Sequence, residues 1–188
     1  MIQETLITSI NREGLTHIAP MGVHIVEDYS IILPFKPNLT LNNILETQSA
    51  VINYCDDVRI FAGCLTGRRD WPLQPAEVIK GYFLTDTLAH AEVVLERYED
   101  DPVRPKLFCK TVHVCNHKPF LGFNRAQSAV LEAAILVSRL GRLPLNKIVR
   151  ELEYLRSALE KTAGPRELIA WAWLMEFVEQ QRKPRIGR

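Results

Sequence analysis

The apolar residues of this chain change their period once, and that change limits what it can fold into. As far as Cys115 they alternate with polar residues in short runs with a period of two, the pattern of half-buried strands. After Pro119 they recur at i, i+3, i+4 and i+7, the pattern of amphipathic helices. Strands gathered in one part of a chain and helices in another indicate an α+β protein rather than alternating βαβ units. With 188 residues, one domain or one domain with a smaller appendage is expected. The reading is an antiparallel β-barrel over residues 1–120, followed at 121–188 by a helical region that packs on the barrel or on a partner.

The strand-rich part begins as a meander. Thr5 to Ile10 is β-prone, and Asn11-Arg12-Glu13-Gly14 supplies a turn whose glycine can take positive φ. A strand from Leu15 to Val26 turns at Glu27-Asp28 and returns as Tyr29 to Phe35. Pro20 and Gly22 lie inside that middle strand, so it is either interrupted there or runs along an edge. Thr40 to Glu46 has the character of a helix start with Thr40 as N-cap, and Ser49 to Tyr54 returns to strand composition. Asp56-Asp57 opens an irregular or short helical stretch, Arg68 to Pro75 reads as a surface loop, and a short segment follows around Ala76 to Leu84. Ala91 to Tyr98 and Lys106 to Cys115 are two further strands, enough to close a barrel of about six.

In the helical part, Asn124 caps a helix with Gln127 at the third position, and Gly141 stops it after Leu140. Apolar residues nearly encircle this helix, which makes it central. Leu145, Ile148, Val149, Leu152, Leu155 and Leu159 form a stripe on a second helix ending near Gly164, and Pro165 opens a third. The residues from Arg182 to Arg188 form a basic tail, read as a solvated end.

Charge and cysteine usage exclude several classes. Lys and Arg number 23 against 22 Asp and Glu, so no net field recruits nucleic acid or an anionic membrane. The longest apolar runs, such as Ala129 to Val137 with Glu132 inside it, are too short to span a bilayer, and a cytoplasmic protein is expected. Cys55, Cys64, Cys109 and Cys115 show neither C-x-x-C spacing nor disulfide-scaffold density, so reduced thiols are expected. Cys109, His113 and Cys115 would share one face of a strand, with His117 just beyond, and could assemble a metal site. Free cysteines serve more often as small buried hydrophobes, and no metal is expected. Nucleophile elbow, P-loop, dinucleotide glycine fingerprint and H-E-x-x-H motifs are all missing.

The stretch that stands out is Thr16-His17-Ile18-Ala19-Pro20-Met21-Gly22-Val23-His24, followed by Leu33-Pro34-Phe35-Lys36-Pro37-Asn38-Leu39-Thr40-Leu41-Asn42-Asn43. A flavin needs a flat apolar wall, backbone groups for its pyrimidine edge, and a cationic or N–H-rich pocket for its phosphate. Ala19, Pro20, Met21, Gly22 and Val23 can supply the first two, and Lys36, Thr40 and Asn43 the third at a helix N-terminus. The competing reading is a proline-glycine bulge at a barrel corner beside a solvated lysine. Arg125, in a first helical turn where the macrodipole disfavours a cation, either binds an anion or pairs with Glu132, Asp56 or Asp57. His17 and His24 can each donate a proton or serve as hydrogen-bonded strand residues.

These segments resemble the flavin-reductase-like and pyridoxamine-oxidase-like FMN-binding split-barrel superfamily. More closely, together with Val51-Ile52-Asn53, Gly122-Phe123-Asn124-Arg125-Ala126 and Val130-Leu131-Glu132-Ala133, they resemble an uncharacterised domain-of-unknown-function family, a split barrel followed by a helical extension. The resemblance covers most of the chain. It implies an FMN-binding flavoprotein with the Thr16 to Pro34 strand-turn-strand beside the flavin, assembled as a homodimer. It also implies an oxidoreductase working with NAD(P)H or a pterin-like molecule of one-carbon metabolism, or else a non-enzymatic FMN-binding module.

Overall fold

A computed structural model of the chain describes residues 1–182, so the tail beyond Arg182 lies outside the described residues. The chain divides into two compact units, one of residues 1–56 and 71–120, the other of residues 57–70 and the segment from Leu121 onward.

In the first unit, β1 (Ile2–Ile10) pairs along its whole length with β2 (Thr16–Val26), with Ile2 opposite His24 and Ile10 opposite Thr16. Their turn works as its residues suggest: Gly14 takes φ 84°, and the Asn11 side chain accepts from the Leu15 N–H at 2.9 Å. With β3 (Tyr29–Ile32), β4 (Ser49–Tyr54), β7 (Ala89–Glu99) and β8 (Lys106–Asn116), they close a six-stranded antiparallel barrel in the order β1-β2-β3-β8-β7-β4. Its core is Ile7, Val23, Ile32, Ile52, Ala91, Val93, Leu107 and Cys109, joined by Leu41 and Ile44 of helix α1 (Leu39–Thr47).

Of the two readings of the middle strand, the edge is the one β2 takes: Pro20 sits opposite Leu6 within one continuous ladder. Proline is tolerated there because β3 pairs only with Val23 to Val26, and among the described residues no strand pairs with the other edge of Thr16 to Gly22. Cys109 does not share a face with His113 and Cys115. The β7–β8 register shifts between Glu92 and Val93, so that Glu92 faces His113 while Val93 faces Thr111, and Val112 is left over. This bulge turns His113 and Cys115 to the outer face, while Cys109 stays in the core.

On the outside of the barrel lies a small hairpin, β5 (Leu73–Pro75) with β6 (Tyr82–Leu84), in the region read as loop and short segment. Asn53 clamps it down. Its side-chain amide donates to the Leu6 carbonyl at 3.0 Å and to Thr8 Oγ1 at 3.1 Å, and its Oδ1 accepts from the Leu84 N–H at 2.7 Å. Asn53 is fully buried, so Asn53→Leu takes the acceptor from the Leu84 N–H and removes the bonds to Leu6 and Thr8; a loss of about 1–3 kcal/mol is expected, measurable as a lower urea midpoint.

The second unit joins α2 (Val58–Leu65) to α3 (Arg125–Ser138), α4 (Leu145–Thr162) and α5 (Pro165–Arg182). Asn124 caps α3 as expected, accepting from the N–H groups of Ala126 and Gln127. The helix ends at Ser138 rather than Leu140, and Gly141 falls in the turn beyond it. Alanines line its buried face at 126, 129, 133 and 134, small enough to let three helices approach it. Ile148, Leu152 and Leu159 of the α4 stripe are buried in this same core, so the stripe packs within its own chain, while Leu145 at its start is exposed. Pro165 opens α5, and buried Glu167 reaches back to accept from the Gly164 N–H at 2.9 Å.

Candidate functional site

Two groups of residues in the first unit can carry chemistry. The first is the stretch singled out in the sequence. Ala19, Pro20, Met21 and Gly22 follow one another along the free edge of β2, all half-buried, and Val23 points into the core. A Cβ added to Gly22 would meet Ile2 Cγ2 at 3.0 Å, so the room left by this glycine is taken up by the Ile2 and Glu4 side chains. His17 and His24 lie on the same strand, opposite Ser9 and Ile2.

The residues expected on the phosphate side are not alike. Lys36 is exposed and ion-paired with Asp100, which holds its ammonium pKa above the usual lysine value. Asp100, bonded to Lys36 and Tyr98, is held below the usual carboxylate range. Thr40 is not the N-cap of α1. Asn38 is, in extended conformation at φ −149° with its side chain accepting from the Leu41 N–H at 3.0 Å. Thr40 is already helical and fully buried, and its hydroxyl has no hydrogen-bond partner among the described residues. Asn43 is also buried, with its amide donating to Ser9 Oγ at 3.1 Å. Arg125, in the other unit, is exposed and takes part in no ion pair among the described residues.

Of the second group, His113, Cys115 and His117 were singled out in the sequence, and Glu77, His90 and Glu92 were missed. His90 and Glu92 alternate on the outer face of β7, both fully buried under the β5–β6 hairpin and the loop from Ala76 to Gly81. Glu92 accepts three successive backbone N–H groups, from Glu77 at 2.6 Å and from Val78 and Ile79 at 2.8 Å each. Burial pushes its carboxyl upward in pKa, but these three amides and His90 outweigh it, and the net shift is downward. His90 is lowered, chiefly by burial. Its Nδ1 lies 2.8 Å from His117 Nε2, and Phe83 of β6 stacks on both imidazoles with centroids at 4.2 and 4.8 Å. On β8, His113 stands opposite Glu92 and Cys115 opposite His90. Ala89-His90-Ala91-Glu92-Val93 carries polar residues at alternate positions of an apolar strand, and that signal was open to being read.

A family model described as the N-terminal domain of a protein of unknown function, DUF447, matches residues 3–118, and its companion DUF447 model matches residues 124–176. The chain belongs to the DUF447 family. Among solved structures, this DUF447 protein is similar to the FMN-bound protein MM1853 of Methanosarcina mazei, matched to the same family. The two share 18% identity over 94% of each chain with a TM-score of 0.83. The 2-nitrobenzoate 2-nitroreductase NbaA of Pseudomonas fluorescens is similar over 60% of this chain and 64% of its own, at 25% identity and TM-score 0.52. A flavoredoxin of Methanosarcina acetivorans covers 64% of this chain and 72% of its own, at 14% identity and TM-score 0.55. Comparison with curated proteins finds no match. The split-barrel fold with C-terminal helices that the sequence resemblance implied is the fold this chain has. No helix among the described residues is long and apolar enough to cross a membrane.

Proposed function

We propose that this DUF447 protein is an FMN-binding flavoprotein, and that its barrel unit carries the cofactor. The observation that supports this most is the FMN-bound relative from Methanosarcina mazei, which matches 94% of each chain at TM-score 0.83. The residues present fit the group in part. The free edge of β2 from Ala19 to Gly22 offers unpaired backbone to a pyrimidine edge. Lys36 just before α1, and the partnerless Thr40 hydroxyl within its first turn, suit an oxyanion such as a phosphate. Asn43 fits less well, because its amide is already held by Ser9. Arg125 remains in this reading as an exposed cation at the start of α3, available to an anion.

When bound, FMN would supply the redox chemistry, while the protein binds and orients it and shields it from water. The reading extends to a cytoplasmic homodimer that takes hydride from NAD(P)H and passes electrons to a second acceptor, of which a pterin-like molecule is one class. The relatedness to a nitroreductase and a flavoredoxin supports the redox part.

Titrating FMN into the purified full chain, followed by quenching of flavin fluorescence, tests the reading. Saturable binding is expected, and Lys36→Ala should weaken it about tenfold, the worth of one charge-assisted contact to phosphate. Colourless protein that leaves FMN fluorescence unquenched would overturn the proposal. FMN that binds but is not reduced by NADH or NADPH would retain the cofactor and remove the enzyme.

A further inference from the structure

We propose that Glu77, His113 and Cys115 form a binding site for one divalent transition-metal ion of the zinc class, on the outer face of the barrel unit. Their ligand atoms, a carboxylate oxygen, an imidazole nitrogen and a thiol sulfur, all lie within 4.8 Å of one another. Ligands about 2.0–2.3 Å from a tetrahedral ion stand roughly 3.3–3.8 Å apart. Glu77 Oε2 is 3.6 Å from His113 Nε2, inside that range and too far for a hydrogen bond. His113 Nε2 is buried and has no hydrogen-bond partner among the described residues. A buried imidazole nitrogen left unbonded, with a carboxylate oxygen 3.6 Å away and a thiol sulfur within 4.8 Å, is the arrangement a metal ion completes.

The fold builds this site through the bulge at Val112, which brings His113 and Cys115 out of line with Cys109 and onto the same face as His90 and Glu92. Glu92 places the third ligand. By holding the N–H groups of Glu77, Val78 and Ile79, it fixes the loop whose first gripped residue is Glu77. A second possible ligand group, His90 with Glu92 and His113, is less suited. Both Glu92 oxygens are occupied by backbone N–H groups, and His90 lies between Glu92 and His117. Those residues support the site and do not ligate in it. A carboxylate, a thiolate and a neutral imidazole carry two negative charges, which matches a divalent ion, and the mixed O, N and S donors suit zinc or cobalt over calcium or magnesium. Three protein ligands leave a fourth position for water or an external ligand.

Cobalt reports on each ligand separately. Titrating Co2+ into metal-free full-length protein should saturate at one equivalent, with the visible bands of a tetrahedral ion and a near-ultraviolet thiolate-to-cobalt charge-transfer band, both removed by added Zn2+. Cys115→Ser should abolish the charge-transfer band while Cys55→Ser keeps it, and Glu77→Gln, at an exposed loop position that folding tolerates, should weaken affinity by more than about tenfold. No saturable uptake of Co2+ or Zn2+, or a charge-transfer band that survives in Cys115→Ser, would overturn the site.

Discussion

Replacing Glu92 with alanine is expected to cost the barrel unit about 3–5 kcal/mol, because the substitution removes a fully buried carboxylate together with the one acceptor its neighbours share. Three consecutive N–H groups, those of Glu77, Val78 and Ile79, lose their partner at once. His90 loses the carboxylate that lies 3.4 Å from its Nε2. Glu92→Gln keeps the shape but turns one acceptor into a donor, so it should cost less than alanine and still release the loop. Hydrogen exchange followed by mass spectrometry locates the effect: peptides from β7, β8 and the Ala76 to Gly81 loop should lose protection while α3 to α5 keep theirs. Unchanged protection around Glu92 in the alanine variant would refute the clamp.

The same group predicts how stability follows pH. The Glu92 carboxyl is depressed in the folded protein, so its contribution is full above the unfolded value of about 4.3 and is lost as pH falls through the lower folded value. His90 is also depressed, below its unfolded value of about 6.5, so the unfolded state takes up its proton first, and stability falls as pH drops from there towards the folded value. Both effects have the same sign. The barrel should weaken progressively from about pH 6.5 downward, and Glu92→Ala should flatten the part below about pH 4.3.

The second large effect is expected in the helical unit. Leu174 of α5 is fully buried in the cluster formed with Ala133, Val137, Ile148 and Leu152. Leu174→Ala should cost about 2–5 kcal/mol, the sum of lost transfer energy and a cavity that rigid helices fill poorly. Leu174→Met, which conserves volume, should cost less than about 1.5 kcal/mol. Far-ultraviolet circular dichroism reads the loss as a lower thermal midpoint, with the helix-rich signal dominated by this unit. A midpoint unchanged in the alanine variant would show that Leu174 is not part of a packed core.

Local rules carried a good part of the fold. The hairpin at Gly14, the strand Ser49–Tyr54, the cap at Asn124, the helix opening at Pro165, and the α4 stripe all follow from period and turn chemistry within a few residues. Where two polar residues compete for one role, the sequence was less decisive: Thr40 and Asn38 are both good caps, and the structure uses the earlier one because Thr40 is needed inside. A proline in β2 marked an edge correctly, but not which neighbour was missing.

Of the candidate sites, the β2 edge with Lys36 and Thr40 was visible as a linear pattern, because those residues lie within one stretch of chain. Of the outer cluster only His113 and Cys115 were visible, within one strand, since Glu77, His90 and Glu92 join them from a loop and a second strand. By itself the sequence determined the two element types, their order, and the polar-apolar alternation that gives each strand its two faces. Only the tertiary structure decided which strands pair, and that a single bulge at Val112 separates Cys109 from Cys115. The physical reason is that strand periodicity is local, whereas register is settled between residues far apart in the chain, where one unpaired residue reverses every side chain beyond it.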